Sequence, residues 1–232
     1  MILQVCLLIS LSIVSMQAVS FSKSKKVLLK QIYFDNRNTF YCNNPYEIKL
    51  VSGKEKTLIT EDSYIYKARN PFYKSGKVNI RAKRVEWEHI MPAHNFGRHL
   101  QCWKNGGRKA CKKDFIFKIM ESDMHNLVPS IGELNANRSN YKYAAGKAKS
   151  FQYGNCNFEI NFKEKRVLVS EEIKGDIARI YLYMSEKYKI RLSKKERKMM
   201  NYWNKIDPVS KWERIKNKRV EKLQGNLNSF IN

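Results

Sequence analysis

The 232-residue chain carries 45 lysine and arginine residues against 21 aspartate and glutamate, a formal net charge of +24, and 43% of it is hydrophobic. That is enough apolar material for a real core, and neither an internal repeat nor a low-complexity segment is present. A compact body this positive repels itself, so a polyanionic partner is expected, with nucleic acid fitting better than anionic lipid.

Met1 to Ser20 contains no charged side chain. Ile2 to Val14 is apolar apart from Gln4 and two serines, and Ala18-Val19-Ser20 puts small residues where a signal peptidase reads. The expectation is a signal peptide over 1–20, without the usual basic start, and export to the periplasm or the medium. The apolar stretch is shorter than the roughly 20 residues of a spanning helix, so no stable membrane insertion is expected. Residues 21–232 then form a single domain. Cys6 leaves with the leader. Cys42, Cys102, Cys111 and Cys156 remain, an even set in an oxidising compartment, which reads as two disulfides. Cys102 and Cys111 flank Gly106-Gly107 and are close enough to pair locally, leaving Cys42 with Cys156 by elimination. Zinc is the rival explanation, but no Cys-x-x-Cys pair is present.

Lys23 to Phe34 reads as a basic amphipathic helix with Val27, Leu28 and Ile32 on one side. Tyr46 to Lys83 is polar and irregular, and reads as loops with short helical pieces. An extended run over Arg81 to His89 ends before Pro92, a basic loop spans Arg98 to Lys113, and Met124 to Val128 is a second extended segment. Ser130 and Glu133 have capping-box spacing, which predicts a helix over about 131–143. The local order is strand, long loop, strand, helix, over about 81–143. The C-terminal part, about 170–224, is helical: Ile173, Ile177, Ile180 and Met184 share a face, and Ser193-x-x-Glu196 is a second capping box. Asp207-Pro208 offers a cap residue before a proline at the first helical position. Val209, Trp212, Ile215, Val220 and Leu223 give the last helix an apolar side.

Hydrolysis of a phosphodiester needs an activated water, charge stabilisation at the phosphate and help for the leaving oxygen. Glu86-Trp87-Glu88-His89-Ile90-Met91-Pro92 supplies candidates. A neutral His89 can act as general base near pH 7, and Glu88 can ligate a hard cation. Neighbours on an ideal strand face opposite ways, so shared use requires the end of the strand. The same spacing also fits a satisfied interior histidine beside a surface glutamate. Asn135, in the second turn of the new helix, can complete a magnesium site that keeps several waters. Glu133 has a structural job in the capping box, and His125 and Asn126 are read as hydrogen-bonding the second strand and loop. Arg108 can grip a phosphate bidentately, although a solvated basic loop explains it equally well.

Taken together, these segments resemble the bacterial endonuclease I family within the His-Me finger (ββα-metal) class. Further matching segments are Asn95-Phe96-Gly97, Gln101-Cys102-Trp103, Gly106-Gly107-Arg108-Lys109, Asp123-Met124-His125-Asn126-Leu127-Val128-Pro129, Arg138-Ser139-Asn140 and Gln224-Gly225-Asn226. The likeness covers roughly residues 21–230. It implies an α+β fold, a mostly helical single domain built around a ββα-metal core. It also implies a sequence-nonspecific endonuclease cutting double- and single-stranded DNA, often RNA as well, as a monomer, and leaving 5′-phosphate ends. By position, His89 is the general base, Glu88 and Asn135 hold one Mg²⁺ (Mn²⁺ or Ca²⁺ substituting), and Arg108 holds the phosphate. Glu121 matches an acidic position whose role in the family is less defined, such as action through a metal-bound water. Two rivals are carried alongside: a non-catalytic nucleic-acid-binding protein on the same fold, which predicts damage to Glu88, His89, Arg108 or Asn135, and a membrane-active basic protein, which predicts a strongly amphipathic surface helix.

Overall fold

The computed structural model describes residues 20–60, 64–149 and 151–232. The signal-peptide expectation therefore lies outside the described residues except for Ser20. That residue caps helix α1 (Phe21–Val27), its hydroxyl accepting from Lys23 N at 3.3 Å. The helix runs on through a π-helical turn, Leu28–Ile32. Leu28 and Ile32 are four apart and so share one face, which packs on Tyr33, Met124, Leu127 and Val220.

Strands β1 (Tyr46–Val51) and β2 (Lys54–Ile59) form an antiparallel hairpin, which corrects the expectation of loops and short helical pieces between Tyr46 and Lys83. Ser52 and Gly53 both take positive φ, 51° and 72°, the two-residue turn whose twist suits a hairpin. Lysines and glutamates on the exposed residues dilute the alternation that marks a strand. Among the described residues of that stretch a single 3-10 turn, Ile80–Ala82, is the helical piece.

Strand β3 (Val85–His89) pairs antiparallel with a strand over Leu127–Ile131, with His89 opposite Leu127 and Glu86 opposite Ser130. Between them come α2 (Ala93–Gly97), α3 (Gln101–Lys104), α4 (Gly107–Cys111) and α5 (Phe115–Ser122). The stretch from Arg98 to Lys113 is thus two short helices clipped by the Cys102–Cys111 disulfide, not a plain loop. The strand over Leu127–Ile131, β4, begins later than expected, because Met124–Asn126 is a 3-10 turn capped by Asp123. Helix α6 (Gly132–Arg138) follows β4 directly.

The capping box expected at its start does not form. Ser130 lies in β4 with its hydroxyl on the Ile131 carbonyl. Glu133 instead accepts from Tyr66 Oη at 2.6 Å, Arg69 N at 3.1 Å and Asn70 N at 2.7 Å. A distant loop with three donors outcompetes the local cap.

A third small sheet holds β5 (Lys142–Tyr143), β6 (Phe158–Asn161) and β7 (Arg166–Val169), with β7 in the middle. Helices α7 (Lys174–Lys187), α8 (Lys194–Ile206) and α9 (Lys211–Gln224) complete the single α+β domain. Ile177, Ile180 and Met184 are buried, as their spacing predicts, and Ser193 and Glu196 form the expected capping box. Asp207 does not cap α9. Its carboxylate takes Gly175 N at 2.7 Å, and α9 opens at Ser210 with its own capping box to Glu213. The inner face of α9 is also more polar than its apolar pattern suggests: Glu213, Lys216 and Asn217 are buried beside Val220, while Leu223 is 42% exposed. The Cys42–Cys156 disulfide ties the segment before β1 to the segment before β6.

Candidate active site

His89 is the last residue of β3, where the alternation of faces no longer holds Glu88 and His89 apart; both line one cleft of about 930 Å³. His89 Nε2 lies 2.8 Å from the Glu121 carbonyl. A carbonyl only accepts, so Nε2 carries the proton and Nδ1 keeps its lone pair. Phe21 and Phe96 pack against the ring at 4.9 and 5.8 Å. Burial pushes the imidazole down to about 3, against the pull of the Glu121 carbonyl and with help from Arg108 and Arg138. The ring is therefore neutral at physiological pH.

Glu88 is 4% exposed. Its Oε1 accepts from Tyr41 Oη at 3.2 Å and from Arg138 Nη1 at 3.1 Å. Among the described residues no donor reaches Oε2. Burial pushes the carboxyl up to about 7, opposed by Arg138 and Tyr41. Arg138, fully buried at the end of α6, also donates to the carbonyls of His89 at 2.9 Å and Ile90 at 2.7 Å. One guanidinium thus joins the helix to the strand end.

Asn135 projects from α6, and its Nδ2 donates to Glu86 Oε2 at 3.0 Å. A carboxylate only accepts, so the amide orientation is fixed and Oδ1 is left free. Glu86 is itself clamped by Arg81 Nε at 3.0 Å and Arg84 Nε at 2.8 Å. Gly132 permits this approach: a Cβ there would sit 2.8 Å from the Arg81 carbonyl and 3.0 Å from the Glu86 carboxyl. Arg108, on α4, donates from Nε to Glu121 Oε1 at 2.8 Å and is half-exposed. Its two terminal nitrogens have no protein partner among the described residues. Glu121 consequently serves the site through two atoms, its carbonyl on His89 and its carboxylate on Arg108.

Glu88, His89, Arg108 and Asn135 all line this cleft, and Glu121 stands behind it. Each of the four is held by one atom and offers another. Sequence reasoning missed the supporting roles of Glu86, Arg138 and Tyr41, whose contacts span 47 to 50 residues, and the packing of Phe21 on His89. The two aspects that were visible, Glu86 within the dense Glu86–Pro92 motif and Arg138 beside Ser139-Asn140, carry no spacing signal for those contacts.

Among the described residues, no group of three or more His, Cys, Asp or Glu is placed to hold a metal. One carboxylate and one amide oxygen are a different donor set, and they suit a hard cation that keeps several of its waters. Free oxygens on Glu88 and Asn135 in the same cleft fit such an ion. Zinc-thiolate binding is not available, since Cys42, Cys102, Cys111 and Cys156 are consumed in the two expected disulfides. Among the described residues no helix is long and apolar enough to cross a membrane.

Fold and cleft define a class: an α+β protein whose cleft gathers five lysine and arginine residues beside a neutral histidine. The Endonuclease I family profile matches residues 20–232, and the chain belongs to that family and is an endonuclease. Similar proteins include a periplasmic deoxyribonuclease of Aeromonas hydrophila, 42% identical over 97% of this chain and 90% of the relative. Endonuclease-1 of Buchnera aphidicola subsp. Acyrthosiphon pisum is 42% identical over 91% of this chain and 86% of its own length. An extracellular deoxyribonuclease of Aeromonas hydrophila is also 42% identical, over 90% and 86%.

Proposed function

We propose that this chain is an exported, monomeric, sequence-nonspecific endonuclease that uses a divalent metal ion. It hydrolyses phosphodiester bonds in double- and single-stranded DNA, and in RNA as well, to 5′-phosphate ends. The observation that carries this reading is the pattern at the cleft: among the described residues His89 Nδ1, Glu88 Oε2, Asn135 Oδ1 and the Arg108 fork each have no protein partner while the rest of the side chain is fixed. The net charge of +24 supports a substrate held through its backbone, which gives affinity without reading bases. Export rests on the uncharged leader over 1–20 and on relatives named periplasmic and extracellular. The ββα-metal core corresponds to β3, β4 and α6.

His89 Nδ1 takes the proton of the attacking water. Its Nε2–H stays on the Glu121 carbonyl, which steadies the imidazolium that forms. Arg108, aimed by Glu121, holds the phosphate with its free fork and meets the charge that develops there. Glu88 and Asn135 would hold Mg²⁺, with Mn²⁺ or Ca²⁺ substituting. When bound, the ion supplies positive charge to the phosphate and to the departing 3′ oxygen. Arg138 and Glu86 keep these ligands in register.

The test is nicking of supercoiled plasmid by purified protein with Mg²⁺, with and without EDTA, beside His89→Ala. Wild type should convert the plasmid to open-circular and linear forms, EDTA should stop it, and His89→Ala should be nearly inert. Wild type that leaves the plasmid intact, or His89→Ala that cuts equally well, overturns the reading.

A further inference from the structure

The cleft has a wall built by the start of the described chain. Helix α1 is pinned there by buried Ser24, whose hydroxyl donates to the Ser122 carbonyl at 2.7 Å, one residue from Glu121. That anchor places Phe21 and Lys25, one helical turn apart, on the cleft face.

Phe21 meets both reactive groups. Its ring packs on His89 at 4.9 Å between centroids. The Arg108 guanidinium lies 5.7 Å from the same ring, and Lys25 Nζ lies 4.9 Å from it. An aromatic face attracts cations, so one ring gathers two positive groups beside the histidine.

The balance of charge separates Lys25 from its neighbours. Five lysine and arginine residues line the cleft: Lys25, Arg81, Arg84, Arg108 and Arg138. The four arginines are each paired with a carboxylate, Arg81 and Arg84 with Glu86, Arg108 with Glu121 and Arg138 with Glu88. Lys25 has no carboxylate partner among the described residues. It is the cation of the cleft whose full charge is left for a ligand.

Resting on the reading of the cleft as a nucleic-acid site, we propose that Lys25 binds the backbone phosphate flanking the scissile one, and that Phe21 is the positioning residue that sets Lys25, Arg108 and His89 at a common spacing. A lysine is suited to this role because it acts as a point charge and makes no demand on base sequence.

Binding of a short DNA duplex in EDTA, followed by fluorescence anisotropy between roughly 50 and 200 mM salt, tests Lys25 without any cleavage. Lys25→Gln should lower the slope of log affinity against log salt by about 0.9, the share of one phosphate contact, and Lys25→Arg should restore it. An unchanged slope in Lys25→Gln overturns the phosphate subsite. Steady-state cleavage with Mg²⁺ tests Phe21. Phe21→Leu keeps an apolar side chain but removes the ring face, and should lower kcat roughly ten- to a hundredfold through misplacement. Phe21→Trp should recover most of that rate. Both are compared at equal folded fraction by near-UV circular dichroism. A Phe21→Leu protein with wild-type kcat, or a Phe21→Trp protein no better than Phe21→Leu, overturns the positioning role. Wild type that binds with a steep slope but never cleaves defeats the nuclease reading alone, while the Lys25 comparison still decides the subsite.

Discussion

Two arginine–carboxylate pairs are buried on both sides among the described residues, and they do opposite things. Arg179–Glu213 joins α7 to α9, with side-chain exposures of 0% and 6%; Arg138–Glu88 joins α6 to β3, with 1% and 5%. The first is saturated. Arg179 Nε and Nη2 donate to the two carboxylate oxygens at 2.6 and 2.8 Å, Nη1 reaches the Asp207 carbonyl at 2.7 Å, and Ser210 N donates to Oε2 at 2.8 Å. The second is left open: one 3.1 Å ion-pair bond, Arg138 Nε without a partner, and Glu88 Oε2 without a donor among the described residues. Burial of charge is thus a poor marker of a site. Unspent bonding capacity at the edge of a cleft is a better one, because a buried polar group without a partner is costly unless something else comes to fill it.

The contrast predicts a double dissociation. His89→Ala should cost about 10²- to 10⁴-fold in kcat while leaving the urea midpoint close to wild type. Arg179→Met should lower unfolding stability by about 3–5 kcal/mol, since Glu213 is left buried and uncompensated, yet leave kcat per folded molecule intact. Urea melts and plasmid nicking on the same samples check both, and a stability loss without rate loss in His89→Ala would erase the distinction. Asn135→Ala and Arg108→Ala come next, each expected to lose about a hundredfold in rate. Glu86→Gln should be milder: it loosens the Asn135 amide instead of deleting it, and the reading is a Mg²⁺ requirement raised about tenfold, seen in a metal titration of nicking.

The smallest effect concerns pH. Burial lowers the His125 imidazole below its usual 6.5, so the folded protein holds it uncharged. Its contribution to stability is full above the unfolded value of about 6.5 and erodes as pH falls toward the folded one, because the unfolded chain then binds the extra proton. His125→Gln should therefore flatten the rise of unfolding free energy with pH below about 6.5, by at most about 1.4 kcal/mol per pH unit. A variant with the wild-type slope would show that His125 charges without cost in the fold.

What the sequence made legible was short-range. The Glu88-His89 step before Pro92 announced a strand end, the spacing of Ile177, Ile180 and Met184 announced a buried helix face, and Ser193 with Glu196 announced a cap that forms. Cys102 with Cys111 could be paired because they lie nine residues apart. The misreadings arose where a long-range partner outbid a local one. Glu133 has the spacing of a cap but gives its carboxylate to donors 63 to 67 residues away. Asp207 sits before a proline yet serves Gly175. The β1–β2 hairpin hid because its outward residues are charged, and Ser52 is a less telling turn residue than asparagine or aspartate. At the site, the chemical residues could be named, but not the atoms they offer. That required Glu86, Tyr41, Arg138 and the Glu121 carbonyl, none of them near in sequence to what they hold.

The brace between the two ends of the chain has a consequence in time. Arg219, on the last helix, donates to the Ile32 carbonyl at 2.6 Å and forks onto Asp35, across 187 and 184 residues. Val220 fills the same seam beneath Leu28 and Ile32. A ribosome adding about 5–20 residues per second needs roughly 10–40 s to travel that distance. Before then the helix bearing Phe21 rests on its Ser24 tie to the Ser122 carbonyl, so the seam at Leu28 and Ile32, and not the cleft wall itself, is among the last features of the newborn protein to be completed.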